Sequence, residues 1–190
     1  IKTDNRDPLK MDDLPPIPYH LVDIDNYIPK SEMEDGFYIE TSRGCPNKCI
    51  FCYNIPFNGS QWRSLKAKRV IKMIQNLKKN YGITFFSFVD DNFFIDLKRG
   101  EKIVNGIIKN DLKIKWELQG VELNSLKKMD EKFLKVLEKS GLIRIQVGIE
   151  SGSNKILKFL NKKVNLKDVI KLNQKMSKYN ILINYHFICG

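Results

Sequence analysis

The chain has 190 residues, with 33 Lys or Arg against 22 Asp or Glu and a formal net charge of +11. This length suits one domain, and an apolar fraction of 42% with 29% charged residues excludes global disorder. Because the sequence has no apolar run of about 18 residues and no signal-peptide pattern at its start, we predict neither a membrane span nor secretion.

The first 36 residues hold five of the seven prolines. Proline interrupts a helix and cannot donate a hydrogen bond to a central strand. The run Leu14-Pro15-Pro16-Ile17-Pro18 is therefore predicted to be extended and to lie on a surface. We expect residues 1–36 to be a linker outside the core that follows a further N-terminal domain.

From Phe37 onward, the hydrophobic period alternates between that of a strand and that of a helix. Apolar, β-branched or aromatic runs predict strands at 37–41, 83–89, 113–118, 142–149 and 181–188. Helical spacing predicts helices at 64–80, around 103–108, after Asp130, and at 153–179 as one long helix or two short ones. Gly82 and Gly141 are placed to end two of these helices.

Five predicted strands separated by four helical segments indicate an α/β fold with a parallel sheet. Right-handed crossovers would make it either an open doubly wound sheet or part of a (β/α) barrel. In both architectures, ligands bind at the carboxyl ends of the strands. Functional residues are therefore expected at 41–52, 90–93, 119–122, 148–151 and 189–190.

Three of the four cysteines fall within one short segment, in the pattern Cys45-x3-Cys49-x2-Cys52. An odd number of clustered cysteines does not suit a disulfide framework, whereas clustered thiolates are typical of a soft-metal site. Zinc would need a fourth ligand, for which the remaining candidates are His20, His186 and Cys189. Three thiolates on an iron–sulfur cubane would instead leave one iron free to bind a small molecule.

His186 and Cys189 superficially complete a zinc pattern with the cysteine segment. On an extended strand, however, residues three apart point to opposite faces and lie roughly 10 Å apart along the chain. The pair is therefore unsuited to one ion, which favours iron–sulfur chemistry. We interpret Cys189 as a buried, apolar-like residue near a strand end.

The pattern Cys45-x3-Cys49-x-Phe51-Cys52, on a loop after the first strand, resembles the signature of the radical S-adenosylmethionine (SAM) superfamily. Segments 89–93, 147–153 and 187–190 further resemble its cobalamin-associated branch, and the similarity runs from about residue 11 onward. The resemblance implies a partial (β/α) TIM-like barrel with about five of six βα units. It also implies a 4Fe-4S cluster, SAM and, in this branch, cobalamin as cofactors.

The resemblance assigns roles to residues at the strand ends. The implied cluster ligands are Cys45, Cys49 and Cys52. The implied SAM contacts are Phe51 at the adenine, Asp90 or Asp91 at the ammonium, Glu150 with the neighbouring Ser151 at the ribose, and Lys162 at the carboxylate. For the two aspartates, capping of the following turn is an equal alternative, and Lys162 could simply be exposed.

The positive charge is unevenly placed, since residues 1–40 hold 4 basic and 10 acidic side chains and the remainder holds 29 and 12. Such an asymmetry can indicate a nucleic-acid partner. Lys163, Lys167, Lys171 and Lys175 nevertheless recur every four residues without interleaved aromatics, which is typical of a solvated helix face. A nucleic-acid partner is therefore not favoured.

The leading hypothesis is a cytoplasmic radical SAM enzyme that uses an external electron donor to form a 5′-deoxyadenosyl radical. Cobalamin-dependent methyl transfer, or related radical chemistry, on an unknown substrate would follow. One alternative is a methylthiotransferase-like enzyme acting on RNA or a ribosomal protein, and another is a zinc-stabilised nucleic-acid-binding module. Because the family continues beyond a fifth strand, we expect residues 37–190 to be a core truncated at its C-terminus and inactive by itself.

Overall fold

A computed structural model describes residues 7–28 and 36–189 of the chain. Its strands are β1 (Phe37–Ile39), β2 (Ser42–Arg43), β3 (Arg63–Ser64), β4 (Phe85–Phe88), β5 (Lys115–Val121), β6 (Leu142–Glu150) and β7 (Leu182–Phe187). Its α-helices are α1 (Asn54–Asn58), α2 (Ala67–Tyr81), α3 (Leu97–Lys109), α4 (Leu123–Lys127), α5 (Glu131–Lys139), α6 (Asn154–Phe159) and α7 (Leu166–Met176). None of the helices in these ranges combines the length and apolar character needed to cross a bilayer.

The central sheet contains five parallel strands in the order β1-β4-β5-β6-β7. The five strands lie side by side in the same order in which they occur along the chain. Helices connect neighbouring strands, as in a segment of a (β/α) barrel. The predicted α/β fold with a parallel sheet is confirmed. The segment predicted as one or two helices forms two, α6 and α7, separated by Asn161 at a φ of 53°.

Aromatic side chains fill the centre of the sheet. All four residues of β4 are buried, and the Phe88 ring lies 5.2 Å from that of Trp116 and 5.3 Å from that of Phe93. The buried indole N–H of Trp116 donates to the hydroxyl oxygen of Ser140 at 3.1 Å, so this large side chain leaves no unpaired donor. The core therefore fixes the end of β4, where the candidate site begins.

Sequence periodicity did not predict an antiparallel hairpin of β2 and β3, or the short helices α1 and α4. Two-residue strands are too short to show an alternating pattern. The hairpin pairs Ser42 with Ser64 and Arg43 with Arg63. The intervening residues 44–62, which include the cysteine segment, are therefore a long connection whose two ends are brought together by the hairpin.

The N-terminal segment lies against the core, contrary to the expectation that it would remain outside it. It contains short 3₁₀ turns at Met11–Asp13, Tyr19–Leu21 and Ile24–Tyr27. Met11 and Ile24 are buried in the main hydrophobic cluster. The Arg69 guanidinium on α2 donates to the carbonyl oxygens of Met11, Asp12 and Leu14, the second at 2.5 Å. Two parts of the predicted linker, 1–6 and 29–35, lie outside the described residues.

Replacing Arg69 with alanine is expected to loosen the N-terminal segment without unfolding the sheet. The change removes the donor that three backbone carbonyls share, while the buried side chains of α2 remain in place. Amide hydrogen exchange within residues 7–28 should rise, and exchange in β4–β6 should stay at the wild-type rate. Lys72→Ala, an exposed change on the same helix, is the control, and equal exchange in both variants would contradict this role of Arg69.

Candidate functional site

A cavity of about 480 Å³ lies at the carboxyl ends of the parallel strands. It is lined by the three clustered cysteines together with polar residues at or just beyond the carboxyl ends of β4, β5 and β6. The polar lining residues at these strand ends are Asp90, Asp91, Asn92, Gln119, Glu122 and Glu150. Its position agrees with the general location of ligand sites in parallel α/β folds.

Cys45, Cys49 and Cys52 are all free thiols on this cavity, with Cys49 buried and the other two half-buried. Burial raises the pKa of Cys45 and of Cys49, and the nearby Lys162 ammonium partly opposes the rise at Cys49. Within 7–28 and 36–189, no three His, Cys, Asp or Glu side chains converge closely enough for one metal ion. Three thiols on one short segment that open onto the same cavity are typical of a soft-metal or cluster site.

Asp91 ties together the two ends of the cysteine segment. Its carboxylate accepts a hydrogen bond from the backbone N–H of Gly44 at 2.7 Å and another from the hydroxyl of Tyr53 at 2.5 Å. Gly44 immediately precedes Cys45, and Tyr53 immediately follows Cys52. The hydrogen bond to Asp91 is the main cause that raises the pKa of Tyr53 to about 12, so the hydroxyl remains a donor at neutral pH.

Replacing Asp91 with alanine is expected to let the cysteine segment move and to speed the release of any bound iron to a chelator by roughly tenfold. Two hydrogen bonds to one carboxylate are lost, at positions directly beside the first and last cysteines. Tyr53→Phe, which removes only one of these bonds, should give a smaller increase. Asp168→Ala removes a half-buried carboxylate that pairs with Lys127 away from the cavity and should leave the rate unchanged; a similar increase there would contradict the role of Asp91.

Asp90 points into the fold. Its buried carboxylate accepts hydrogen bonds from the backbone N–H of Thr41 at 2.7 Å, the Thr41 hydroxyl at 2.6 Å and the Ser42 hydroxyl at 2.5 Å. Burial raises the pKa of Asp90, while these bonds and the Arg99 charge act in the opposite direction. The Asp90 carboxylate therefore holds the turn after β1 against the end of β4. The residue also lines the cavity, and its assignment to the SAM ammonium stays a prediction.

Glu150 and Lys162 meet at the cavity, where Lys162 Nζ lies 3.0 Å from Glu150 Oε1. Both side chains are mostly buried, with exposed fractions of 16% for Lys162 and 12% for Glu150. Glu150 has a φ of 72°, a left-handed conformation that costs a non-glycine residue about 1–2 kcal/mol. A Cβ at Gly148 would lie 2.2 Å from Glu150 Oε1, so this glycine makes room for the pair.

Of the remaining candidate residues, some line the cavity and others do not. Phe51 lines the cavity and is 46% exposed. Ser151 is not among the lining residues, and its hydroxyl accepts from the backbone N–H of Ser153 at 3.1 Å. His186 lines the cavity, whereas Cys189 is exposed, so the interpretation of Cys189 as buried is wrong.

Asn92, Gln119 and Glu122 line the cavity and fall within the strand-end ranges expected to hold functional residues, although sequence reasoning gave none of them a role. Gln146 also lines the cavity but lies outside those ranges. The signal for Asn92, Gln119 and Glu122 was their position just beyond the predicted ends of apolar strands, because polar side chains at the carboxyl ends of parallel strands face a shared edge. Gln146 lies within β6 and offered no comparable signal.

Residues 39–190 match the sequence model of the Radical SAM superfamily. The chain belongs to the radical SAM superfamily. It is 31% identical over 180 residues to an uncharacterized methyltransferase of Pyrococcus horikoshii, a match that covers 95% of this chain and 38% of the relative. Other curated relatives of this radical SAM chain include methyltransferases, a cyclase and methylthiotransferases. The chain spans less than two fifths of the first relative, so it corresponds to a part of such proteins.

The solved structures similar to this radical SAM chain include cobalamin-dependent enzymes, as the resemblance predicted. One is the cobalamin-dependent SAM radical enzyme OxsB with aqua-cobalamin and SAM bound, with 26% identity and a TM-score of 0.66, covering 80% of this chain and 23% of that one. The radical SAM methyltransferase TsrM from Kitasatospora setae, bound to cobalamin and a [4Fe-4S] cluster, has a TM-score of 0.69 at 16% identity, covering 80% and 31%. The second match shows the shared fold.

Proposed function

We propose that this chain forms the catalytic core of a radical SAM enzyme, with a 4Fe-4S cluster on Cys45, Cys49 and Cys52 and SAM in the adjoining cavity. One observation carries the proposal: the three free thiols open onto the same cavity as Phe51 and the Glu150–Lys162 pair. A volume of about 480 Å³ lies within the usual range for small-molecule sites. The proposal assigns residues 37–190 to this core.

When bound, the cluster would supply the electron that cleaves SAM to a 5′-deoxyadenosyl radical. The residues of this chain would hold the cluster and orient SAM beside it. Asp91 keeps the cysteine segment closed through Gly44 and Tyr53. In the proposal, Lys162 attracts the SAM carboxylate, Glu150 accepts hydrogen bonds from the ribose hydroxyls, and Phe51 offers an apolar face to the adenine. The reaction also needs a substrate and an external electron donor, as in other radical SAM enzymes.

For the whole protein, we favour cobalamin-dependent methyl transfer, with residues 1–36 leading from a cobalamin-binding domain. Support comes from the names of the matched methyltransferases and of the cobalamin-dependent structures. The methylthiotransferase names among the relatives favour, as a second candidate, methylthiolation of RNA or a ribosomal protein. An oxygen-sensitive cluster and free thiols are suited to the reducing cytoplasm, which is the proposed location.

The test is anaerobic reconstitution with iron and sulfide, followed by metal and sulfide analysis and electron paramagnetic resonance (EPR). We expect about four irons and matching sulfide per chain, with a reduced-cluster signal that changes when SAM is added. One tightly bound zinc with no bound iron would overturn the proposal. Cobalamin binding by the intact protein would favour the first candidate, whereas specific RNA or ribosomal-protein binding without cobalamin would favour the second.

A further inference from the structure

Asn92 carries a buried amide that the fold leaves unpaired. The residue is 2% exposed, and neither its Nδ2 nor its Oδ1 atom has a hydrogen-bond partner among the described residues. Buried polar groups are nearly always paired, because leaving one unpaired carries a desolvation penalty. An amide kept in this state therefore points to a partner that the folded chain does not itself provide.

The side-chain amide of Asn92 faces the cavity that the three clustered cysteines line. Asn92 and Cys45 line the same space. The Asn92 side chain lies close to the Cys45 thiol, but without a hydrogen bond of full geometry to it. An amide N–H is a donor and a thiolate sulfur is an acceptor, so this contact strengthens when the sulfur carries negative charge.

The backbone on both sides of Asn92 is held in place. On one side, Asp91 accepts from Gly44 and Tyr53. On the other, the backbone N–H of Phe93 donates to the carbonyl oxygen of Gly120 at 3.0 Å, and the Phe93 ring is packed in the aromatic core. The position of the amide is thus preorganised by neighbours that a substitution of the Asn92 side chain would leave unchanged.

We propose that Asn92 donates a hydrogen bond to the Cys45 sulfur once the cluster is bound, and thereby raises the reduction potential of the cluster. Hydrogen bonds to cluster sulfurs are an established determinant of iron–sulfur potentials. Reduction adds negative charge to the cluster, so a nearby donor stabilises the reduced state more than the oxidised one. Asn92 is in this sense a positioning residue that acts through Cys45. The inference rests on the proposed cluster site.

The test compares the chain with Asn92→Leu and Asn92→Asp after anaerobic reconstitution, using an EPR-monitored redox titration without SAM. Leucine removes the donor at similar size, and aspartate replaces it with an acceptor. In both variants the ratio of reduced to oxidised cluster at a fixed potential should fall roughly tenfold, a shift of about 59 mV to lower potential for one electron. Asn80→Leu is the matched control, because the exposed Asn80 amide on α2 is not among the cavity-lining residues and already donates to Asn76 at 3.0 Å; it should leave the potential unchanged.

The possible results separate this inference from the proposed function. Failure of the unsubstituted chain to bind iron would contradict the cluster site itself. A normal cluster with an unchanged potential in Asn92→Leu would overturn the role of Asn92 alone, and so would a shift confined to Asn92→Asp, which would be a charge effect. If Asn92→Leu does not take up iron, pulsed EPR in D₂O tests the hydrogen bond directly, by comparing the unsubstituted chain with Asn92→Asp. An exchangeable proton coupled to the cluster in that chain, weakened in Asn92→Asp, supports the inference, and equal coupling in both overturns it.

Discussion

Cys45→Ala should bind fewer than about one iron per chain after anaerobic reconstitution, compared with about four for the unsubstituted chain. The reason is the small number of available ligands. Among the described residues, Cys45, Cys49 and Cys52 are the only cysteines on the cavity, and the fourth cysteine is exposed elsewhere. Loss of one thiol leaves two, which do not hold a cubane that already has one open iron.

The matched control for Cys45→Ala is Cys189→Ala. This substitution removes the same chemical group from an exposed position near the end of β7. It should retain about four irons and matching sulfide. Thermal unfolding of the two iron-free variants should agree closely with that of the iron-free parent, which would show that the difference lies in metal binding. Full iron in Cys45→Ala, or loss of iron in Cys189→Ala, would contradict the assignment of the ligands.

The parallel sheet and the cysteine segment could be predicted from sequence because each leaves a local signal. Strands such as 83–89 carry continuous apolar runs, and the three cysteines share one short segment. The carboxyl ends of parallel strands then had to meet at one edge. This geometry predicted Asp91 and Glu150 at the cavity, whereas Lys162, which follows α6, was expected there only because of the family resemblance.

The distinct roles of Asp90 and Asp91 could not be predicted, because the two adjacent carboxylates face different partners. Successive side chains of an extended segment point to opposite sides. Asp90 thus turns toward Thr41 and Ser42 inside the fold, and Asp91 turns toward Gly44 and Tyr53. These partners lie 38 to 49 positions earlier in the chain. Only the three-dimensional packing brings them together.

The β2–β3 hairpin and the packing of the N-terminal segment could not be predicted from sequence for the same reason. Both are stabilised by contacts distant in sequence, such as the hydrogen bonds from Arg69 to Met11 and Asp12. A two-residue strand or an isolated 3₁₀ turn has no periodic pattern of its own. The hairpin nevertheless matters for the site, because it closes the base of the loop that carries all three cysteines.

Gly44→Ala should destabilise the fold by more than about 3 kcal/mol and displace the cysteine segment. Gly44 has a φ of +86°, and a Cβ there would lie 1.8 Å from the backbone carbonyl oxygen of Gln61. Because the clash is with backbone at the base of the loop, no side-chain rotation relieves it. The N–H that Gly44 donates to Asp91 must move as well. Reconstituted iron should therefore fall together with the midpoint of denaturant unfolding.

Gly59→Ala separates the effect of crowding from that of backbone conformation. Gly59 ends α1 within the same loop at a φ of +58°, but a Cβ there would have no atom within 4 Å. Alanine at this position should cost only the left-handed conformation, about 1–2 kcal/mol, and should leave iron binding intact. Equal losses of stability and iron in the two variants would mean that positive φ alone is responsible. A larger loss confined to Gly44→Ala would show that the contact with Gln61 sets the position of the metal-binding loop.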